Sequence, residues 1–362
     1  MPDDLPGPGS RLRSRLRPSF GKDAMTRLTI LQIEEMARGA LVKAGASDGA
    51  ASSLAKAIAA AERDGIPSHG LAYLPTYCEH LACGKVIGSA MPRLSQDLPG
   101  VVVVDAGSGF AHPAIDAGLA VLAPLARSQG VALLGIRNSY NCGVLGYHTE
   151  RLASEGLLAL GFTNAPASIA ASGGRKPVLG TNPWSIAVPD GRGGAPIVID
   201  QSASVVAKSE VAKRAREGKA IPLGWALSPE GEPTTDPNVG LKGTMLPAGG
   251  YKGVGSALLV ELMAACLTGA TIGAKASPFS GTAGGPPKTG QCFIAIAPGA
   301  ASGGEFQARL SQLMAVLTEE RLAHVPGKRR REAREKAERE GVVVDAGILE
   351  KVGALARAQE AR

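Results

Sequence analysis

The sequence is poor in aromatic residues and has no long apolar runs. Phe, Trp and Tyr together make up 4% of its 362 residues, so it lacks the repeated rings on which single-stranded nucleic acids stack. No apolar run approaches the roughly 18 residues that are needed to cross a bilayer. We therefore expect neither a nucleic-acid partner nor a membrane partner.

The cysteine pattern argues against both a disulfide framework and a zinc site. The chain has five cysteines, an odd number. Cys78 and Cys83 stand close together without a second pair or flanking histidines, as a zinc site would require. Unpaired thiols are typical of a reducing compartment. We expect reduced cysteines, no metal and a cytoplasmic location.

Positive charge is concentrated at the chain ends, although the formal net charge is +7. Part of it lies between Arg11 and Arg17, and part in the run Lys328 to Arg331. Such runs are usually solvated helix faces or tails. Residues 1–24 are basic and rich in Pro, Gly and Ser, without the apolar segment of a secretory signal. We expect a disordered extension there, or a start of translation at Met25.

Hydrophobic spacing divides the rest of the chain into three parts. Helical periodicity predicts a helical lobe over 25–95, alternating strands and helices predict a mixed sheet over 96–300, and amphipathic helices follow over 301–362. The expected class is α/β. No Gly-x-Gly-x-x-Gly follows a strand, so the usual Rossmann fingerprint of dinucleotide-binding proteins is missing.

His69 is the strongest candidate for proton transfer. It follows a predicted helix that Gly65 and Pro67 end, and an imidazole beside a rigid helix end can be oriented without entering the core. Its unperturbed pKa of about 6.5 suits proton transfer near neutral pH. The residues alone leave open an inert loop histidine. No nucleophile elbow, phosphate loop or zinc spacing accompanies it, so a bound cofactor would have to perform the difficult step.

Several blocks of the chain resemble the malate/L-lactate dehydrogenase family of NAD(P)-dependent oxidoreductases, which is distinct from the Rossmann-type lactate dehydrogenases. The resemblance implies a helical lobe built from both chain ends, a mixed-sheet domain that binds the nicotinamide cofactor without a Rossmann fold, and a homodimer with its active site between lobes. The matching blocks, in family order, are Ser68-His69-Gly70, Asn138-Ser139 with Gly143, Gly173 to Pro183, Pro222 to Pro237, and Gly249 to Gly253.

The resemblance also implies roles for individual residues. His69 becomes the proton donor, with Ser68 and Thr181 in contact with the substrate. Glu210 is implied to orient and charge the imidazole, as an acidic residue does in the piperideine- and pyrroline-2-carboxylate reductases of the family. The residues themselves leave open that Glu210 merely begins an exposed helix, where a carboxylate is favoured anyway.

Cofactor contacts are implied in four segments of the chain. The segment Lys328-Arg329-Arg330-Arg331 favours NADP, with NAD as the alternative, because arginine side chains bind a 2′-phosphate bidentately. The segments are Asn141-Cys142-Gly143-Val144-Leu145, Asp200-Gln201-Ser202, Tyr251-Lys252, and Lys328-Arg329-Arg330-Arg331.

The chain departs from the family pattern at three positions. Tyr73 stands where relatives commonly have an arginine that clamps the substrate carboxylate, and a phenol can donate one hydrogen bond but no charge. Asn141 and Tyr251 each replace a histidine. We expect a remodelled pocket in which Arg175 or Lys176 holds the anionic group of the substrate.

The sequence therefore predicts an NAD(P)H-dependent reductase that transfers hydride to a C=N bond next to a carboxylate. The expected substrate is a cyclic imine such as piperideine-2-carboxylate or pyrroline-2-carboxylate. One alternative is a 2-oxo acid/2-hydroxy acid dehydrogenase of the malate or lactate type. Another is a non-catalytic binding protein on the same scaffold.

Overall fold

A computed structural model describes residues 26–320 and 324–357 of the chain. The predicted disordered extension at 1–24 lies outside the described residues. The α-helices are α1 Ile30–Lys43, α2 Asp48–Arg63, α3 Leu74–Ala82, α4 Ala111–Gln129, α5 Leu145–Ser154, α6 Lys208–Arg216, α7 Pro237–Lys242, α8 Tyr251–Glu261, α9 Pro298–Ala301, α10 Phe306–Glu319, α11 Lys328–Glu340 and α12 Ala346–Arg357. The strands are β1 Thr26–Leu28, β2 Arg93–Leu98, β3 Val101–Asp105, β4 Val131–Ser139, β5 Leu158–Thr163, β6 Ile169–Ala170, β7 Pro177–Leu179, β8 Trp184–Val188, β9 Ile197–Gln201, β10 Ala226–Leu227, β11 Pro233–Thr234, β12 Thr244–Met245, β13 Thr289–Ile296 and β14 Val342–Val344.

The central layer is a mixed sheet of seven strands in the order β2-β3-β4-β13-β5-β8-β9. Only β3 and β4 run parallel, and the other neighbours are antiparallel. Helices α4 and α5 pack on the sheet and bury the inward-facing residues of β3, Val102 and Val104. The alternating burial along β3 is what a half-covered strand produces. This confirms the mixed sheet expected from the sequence.

A second, smaller sheet has five short strands in the order β11-β10-β12-β6-β7. Its core contains Ile169, Ala226 and Met245, and helices α6 and α7 pack beside it. The strands of this sheet are two or three residues long, too short to show the alternation from which strands are recognised. The sequence analysis therefore did not find them.

The two chain ends meet in the helical lobe. Strand β1 pairs with β14 in antiparallel register, with Thr26 opposite Val344, and α12 packs against α1 and α3. Helix α10 packs elsewhere, where Leu310 contacts Ile197 of β9. The helical lobe from both ends is therefore confirmed, while the boundaries 25–95, 96–300 and 301–362 stay a prediction.

Helix α8 changes its geometry at its C-terminal end. It is α-helical from Tyr251 to Glu261 and continues as a π-helix over Leu262–Cys266. Such a wider turn is frequent at functional sites. Among the described helices, none is long and apolar enough to cross a membrane.

Candidate active site

The turn that carries His69 is fixed at both of its ends. Helix α2 ends at Arg63, Gly65 adopts a left-handed φ of 72°, and Pro67–His69 form one turn of 3₁₀-helix. Proline favours the first turn of such a helix because it has no N–H to satisfy. His69 is therefore delivered by a rigid turn, as the sequence predicts.

A buried carboxylate beneath this turn holds the residues that follow His69. Glu62 Oε1 accepts a hydrogen bond from the Leu71 backbone N–H at 2.7 Å. A Cβ atom at Gly70 would lie 2.2 Å from that same oxygen, so only glycine fits between the carboxylate and the chain. The glycine in Ser68-His69-Gly70 thus allows Glu62 to hold the turn.

The imidazole of His69 is half-buried and has two polar neighbours. Its Nδ1 atom lies 3.1 Å from the Ser68 hydroxyl. Burial lowers the pKa of His69, and the negative charge of Asp200 raises it in part. The carboxylate that acts on His69 in the structure is therefore Asp200, which the sequence analysis had assigned to the cofactor site.

Asp200 lies near the end of β9 and is held by two donors. Its Oδ2 atom accepts the Gly146 backbone N–H at 2.7 Å and lies 3.5 Å from Arg330 Nη2. Burial raises the pKa of Asp200, while the Gly146 N–H and Arg330 oppose that rise. The Asp200 carboxylate thus contacts helix α11 and the start of α5, and its charge acts on His69.

A chain of charges continues from Arg330 back to the His69 turn. Arg330 Nη1 lies 3.9 Å from Glu150 Oε2. Arg334 then bridges two carboxylates, because its Nη2 donates to Glu150 Oε2 and Asp64 Oδ2 at 2.9 Å each. Asp64 directly follows helix α2. The charges therefore connect the residues ahead of His69 to the residues around Asp200.

The segment 141–145 forms a tight loop between β4 and α5. Asn141 Oδ1 accepts the Gly143 N–H at 2.6 Å, and Gly143 has a φ of 68°. Cys142 is buried, and burial raises the pKa of its thiol to about 12. Val144 and Leu145 lead directly into α5, so the loop sits at a helix N-terminus, where anionic groups bind favourably.

Two buried histidines lie beneath this loop. His148 Nε2 donates to the Cys142 carbonyl at 2.9 Å, and the rings of His112 and His148 lie 5.5 Å apart. Burial lowers their pKa values to about 3 and about 4, respectively. Both histidines are therefore neutral at physiological pH, and His148 fixes the loop from below.

Tyr73 lies against the same loop. Its hydroxyl donates to the Phe279 carbonyl at 3.3 Å. Burial raises the pKa of Tyr73 to about 12, against hydrogen bonds with Tyr140 and Asn141 that lower it. The structure thus brings Tyr73 and Asn141 together, two of the positions at which the chain departs from the family pattern.

Thr181 is positioned by the residue that follows it. The Asn182 side chain donates to Glu261 Oε2 at 2.7 Å and to the Ala257 carbonyl at 2.9 Å, and the Thr181 carbonyl accepts the Ala203 N–H at 2.8 Å. Glu261 is the buried residue at which α8 changes to π-helix. Thr181 is half-buried and is fixed through its neighbour.

Other predicted site residues do not join this cluster. Glu210 lies in the first turn of α6, 3.4 Å from Arg214 Nε, and no hydrogen bond connects it to His69 within residues 26–320 and 324–357. Arg175 lies in the exposed turn between β6 and β7, against Gly231, followed by exposed Lys176. Tyr251 and Lys252 are exposed at the start of α8.

The basic residues at the start of α11 differ in their contacts and in their exposure. Arg330 faces Asp200, and Arg331 donates to the Pro196 carbonyl at 2.6 Å. Lys328 is exposed and 3.9 Å from Glu332. Arg329 is exposed and makes no ion pair or hydrogen bond with any described residue. Gln201 is exposed, and the Ser202 hydroxyl contacts Ser204 at 3.0 Å.

The sequence analysis missed Glu62, Asp64, Glu150 and Arg334. Glu150 and Arg334 are separated by 184 positions, and no local pattern connects residues that far apart. Asp64 is the residue that could have been suspected from the sequence, because it lies directly at the end of the helix that precedes His69.

Comparison with known proteins identifies the family of the chain. The family model for malate/L-lactate dehydrogenase matches residues 28–353. A (2R)-3-sulfolactate dehydrogenase (NADP(+)) from Chromohalobacter salexigens is 41% identical over 88% of this chain and 96% of that protein. A Δ1-pyrroline-2-carboxylate/Δ1-piperideine-2-carboxylate reductase from Pseudomonas putida is 39% identical over 88% of this chain and 94% of that protein.

Among solved structures, Δ1-piperideine-2-carboxylate reductase from Pseudomonas syringae pvar. tomato superimposes with a TM-score of 0.86 and 36% identity. The match covers 91% of this chain and 99% of that one. The α/β fold agrees with these relatives, which are oxidoreductases by name, and this chain is an oxidoreductase as well. The chain belongs to the malate/L-lactate dehydrogenase family.

Proposed function

We propose that the protein is an NADPH-dependent reductase of a C=N bond next to a carboxylate, with a cyclic imine as substrate. The observation that carries the proposal is the placement of His69. The imidazole lies on a rigid turn, in the field of Asp200, whose Oδ2 binds the first turn of α5. A proton donor and a loop suited to an anionic cofactor are therefore joined by one carboxylate.

The residues around loop 141–145 fit a dinucleotide. Arg330 Nη1 is buried and has no hydrogen-bond partner in the described part of the chain, and a Cβ atom at Gly146 would lie 2.8 Å from it. An unpartnered guanidinium N–H beside a helix N-terminus favours a phosphate group. When bound, the reduced nicotinamide supplies the hydride.

The chain's own residues then handle the proton. His69 donates its proton to the substrate nitrogen as the adjacent carbon is reduced, and Ser68 holds the imidazole at Nδ1. Asp200 stabilises the charged imidazole that must form before each turnover. Thr181, fixed through Asn182, offers its hydroxyl to the substrate.

The exposed side chain of Arg329 supports the preference for NADPH. It has no partner among the described residues, whereas Arg330 pairs with Asp200 through Nη2 and Arg331 donates to the Pro196 carbonyl. A free guanidinium can bind a 2′-phosphate bidentately. We therefore assign the 2′-phosphate to Arg329, with Lys328 beside it. Arg330 and Arg331 instead contact the protein itself, at Asp200 and at the Pro196 carbonyl.

A second candidate is reduction of a 2-oxo acid, which the sulfolactate dehydrogenase relative favours. A sulfonated 2-oxo acid carries two negative charges and requires cations around the reacting carbon. Arg330 is committed to Asp200, and Tyr73 supplies no charge. The protonated cyclic imine is a zwitterion without net charge, so it fits this environment better.

The proposal is tested by following NADPH oxidation with piperideine-2-carboxylate, pyrroline-2-carboxylate, pyruvate and 3-sulfopyruvate. We expect the kcat/KM for a cyclic imine to exceed that for either 2-oxo acid by at least about tenfold. A preference for 3-sulfopyruvate would favour the dehydrogenase instead. Retained NADPH binding without oxidation of NADPH would favour a non-catalytic scaffold.

Glu210 remains a proposed partner of His69. Its side chain is half-exposed and pairs with Arg214 at 3.4 Å, so it is free to leave that weak, solvent-screened pair. Helix α6 borders the small sheet. We propose that Glu210 acts on the imidazole once the substrate is bound, and the pH profiles of Glu210→Gln and Asp200→Asn distinguish the two carboxylates.

We further propose a homodimer that is formed through α8 and the π-helix after it. Leu258, Leu259 and Leu262 are each about half exposed there, at 48%, 50% and 50%. The occupant we favour is a second copy, because an apolar helix face can pair with itself about a two-fold axis. Leu259→Glu should yield monomers in light scattering, whereas Leu31→Glu, at a leucine that is 71% exposed on α1, should not.

We place this reductase in the cytoplasm. All five cysteines are free, and Cys83 and Cys266 are exposed. Exposed thiols persist in a reducing compartment. Localisation of the tagged full-length chain by fractionation tests this, and recovery outside the cytoplasmic fraction would contradict it.

A further inference from the structure

The side chain of Lys85 starts a hydrogen-bond chain that ends at the candidate substrate pocket. Lys85 is fully buried, and its Nζ atom donates to the carbonyls of Pro278 and Gly281 at 2.7 Å and 2.9 Å. His80 Nε2 lies 3.1 Å from the same Gly281 oxygen. A carbonyl only accepts hydrogen bonds, so His80 carries its proton on Nε2.

The protonation of His80 determines the direction of the next bond. Burial and the Lys85 charge lower the pKa of His80, so its Nδ1 atom has a lone pair and accepts. The Tyr140 hydroxyl lies against that Nδ1 and must therefore donate to it. The Tyr140 oxygen then has only lone pairs to offer to its other neighbour, Tyr73.

The proton of the Tyr73 hydroxyl is directed into the protein for the same reason. It is shared between the Tyr140 oxygen, to which Tyr73 is hydrogen-bonded, and the Phe279 carbonyl at 3.3 Å, and both of these oxygens accept. If Tyr73 turned its proton towards a substrate, the partly buried Phe279 carbonyl would lose this donor, which is unfavourable.

Asn141 approaches the same hydroxyl as a donor. Its Oδ1 atom accepts the Gly143 N–H at 2.6 Å, and the Tyr73 proton is directed elsewhere, so the hydrogen bond between these two side chains runs from the Asn141 NH₂ group to the Tyr73 oxygen. The Tyr73 oxygen thus keeps one lone pair, and Tyr73 is half-exposed, four positions after His69. The pocket presents an acceptor at this corner, where the sequence alone suggested a donor.

We propose that Tyr73 is a specificity-determining residue that accepts a hydrogen bond from the substrate. The inference rests on the proposed reductase function and narrows its substrate class. The substrate is an imino or oxo acid that carries a hydroxyl or amino hydrogen on its chain beyond the reducible carbon. Its carboxylate lies elsewhere in the pocket, because two oxygens that both accept repel one another.

Matched substrate pairs test the proposal. With NADPH, kcat/KM is measured for pyrroline-2-carboxylate and its 4-hydroxy derivative, and for pyruvate and 3-hydroxypyruvate. In each pair the members differ by one hydroxyl, and all four share the carboxylate. We expect the hydroxylated member to be preferred by about tenfold, as one hydrogen bond of about 1.4 kcal/mol gives.

Two variants assign that preference to Tyr73. Tyr73→Phe should bring the ratio within each pair close to one, mainly by slowing the hydroxylated member. Tyr140→Phe also removes a phenolic hydroxyl but leaves Phe279 to hold the Tyr73 proton, so it should preserve the ratio even if stability falls.

The possible failures are distinct. Equal losses for all four compounds in Tyr73→Phe would show that Tyr73 donates to the shared carboxylate and would overturn the inference. The same holds if the wild type reduces these compounds without preferring the hydroxylated members. Reduction of neither pair would overturn the proposed function and this inference together.

Discussion

Arg330 Nη2 lies 3.5 Å from Asp200 Oδ2, and both side chains are largely buried, with 12% and 16% exposed. This pair joins helix α11 to strand β9, which carries Asp200. Because Asp200 acts on His69 and also holds the start of α5, Arg330 supports the proposed proton donor and the proposed cofactor loop at once. The basic run at 328–331 is therefore not one uniform phosphate-binding cluster.

Single substitutions in that basic run should separate the proposed 2′-phosphate ligand from the arginine that pairs with Asp200. Arg329→Ala should raise the KM for NADPH by about tenfold or more, with little change for NADH, because one charge-assisted pair to the 2′-phosphate is worth about 1.5–3 kcal/mol. Arg330→Ala should weaken both cofactors and lower the Tm, because it leaves Asp200 buried without its cation. Steady-state kinetics with both cofactors give the comparison, and an unchanged NADPH to NADH ratio in Arg329→Ala would contradict the assignment.

His69→Ala should reduce turnover by about 10²–10⁴-fold while NADPH still binds, since general acid catalysis contributes on that order. Cofactor binding is measured by fluorescence titration and turnover by NADPH oxidation. Ser68→Ala is the matched control, because it removes only the hydroxyl beside the His69 Nδ1 atom. It should reduce turnover less than His69→Ala does. Normal turnover of His69→Ala would refute the proton-donor role.

The pH profile distinguishes Asp200 from Glu210 as the partner of His69. A general acid must be protonated, so kcat/KM should fall as pH rises through the pKa of His69, which burial places below its usual value. Asp200→Asn removes a charge that raises this pKa and should move the falling limb to lower pH. If Glu210→Gln moves the limb and Asp200→Asn does not, Glu210 is the partner in the working enzyme.

The buried pair His112 and His148 should make stability depend on pH. In the folded state burial lowers the pKa of His148 from 6.5 to about 4, so between these values the unfolded chain binds more protons. The free energy of unfolding should therefore decrease as pH falls from 6.5 towards 4, by up to about 1.4 kcal/mol per pH unit for this group. His148→Gln keeps an N–H for Cys142 and should have a flatter dependence in urea denaturation. An identical slope in wild type and variant would count against a neutral His148.

Arg334 should matter for stability far more than its neighbours on α11. Arg334→Ala leaves Asp64 and Glu150 without their shared guanidinium, and breaking such a pair costs about 3–5 kcal/mol. Arg339→Ala, at an exposed residue of the same helix, should stay within about 0.5 kcal/mol. Chemical denaturation measures both, and similar losses would mean that the bridge contributes little.

Local structure followed from local pattern in much of the chain. The helix that delivers His69 was predictable because Ala-rich helical spacing ends at Gly65 and Pro67, and both are seen to end it. The longer strands of the central sheet were predictable from β-branched runs. The short strands of the small sheet were not, because two residues carry no periodicity.

The sequence by itself determined most helices, the β-branched strand β3, the family blocks, and His69 as the candidate acid, since each depends on residues close together in the chain. Only the tertiary structure decided which charges meet. It set Arg334 between Asp64 and Glu150, turned Arg330 towards Asp200, and left Arg329 without a partner among the residues that the structure describes. It also fixed the direction of the Tyr73 proton through Phe279, because partners that are about two hundred positions apart are brought together by packing and not by any local pattern.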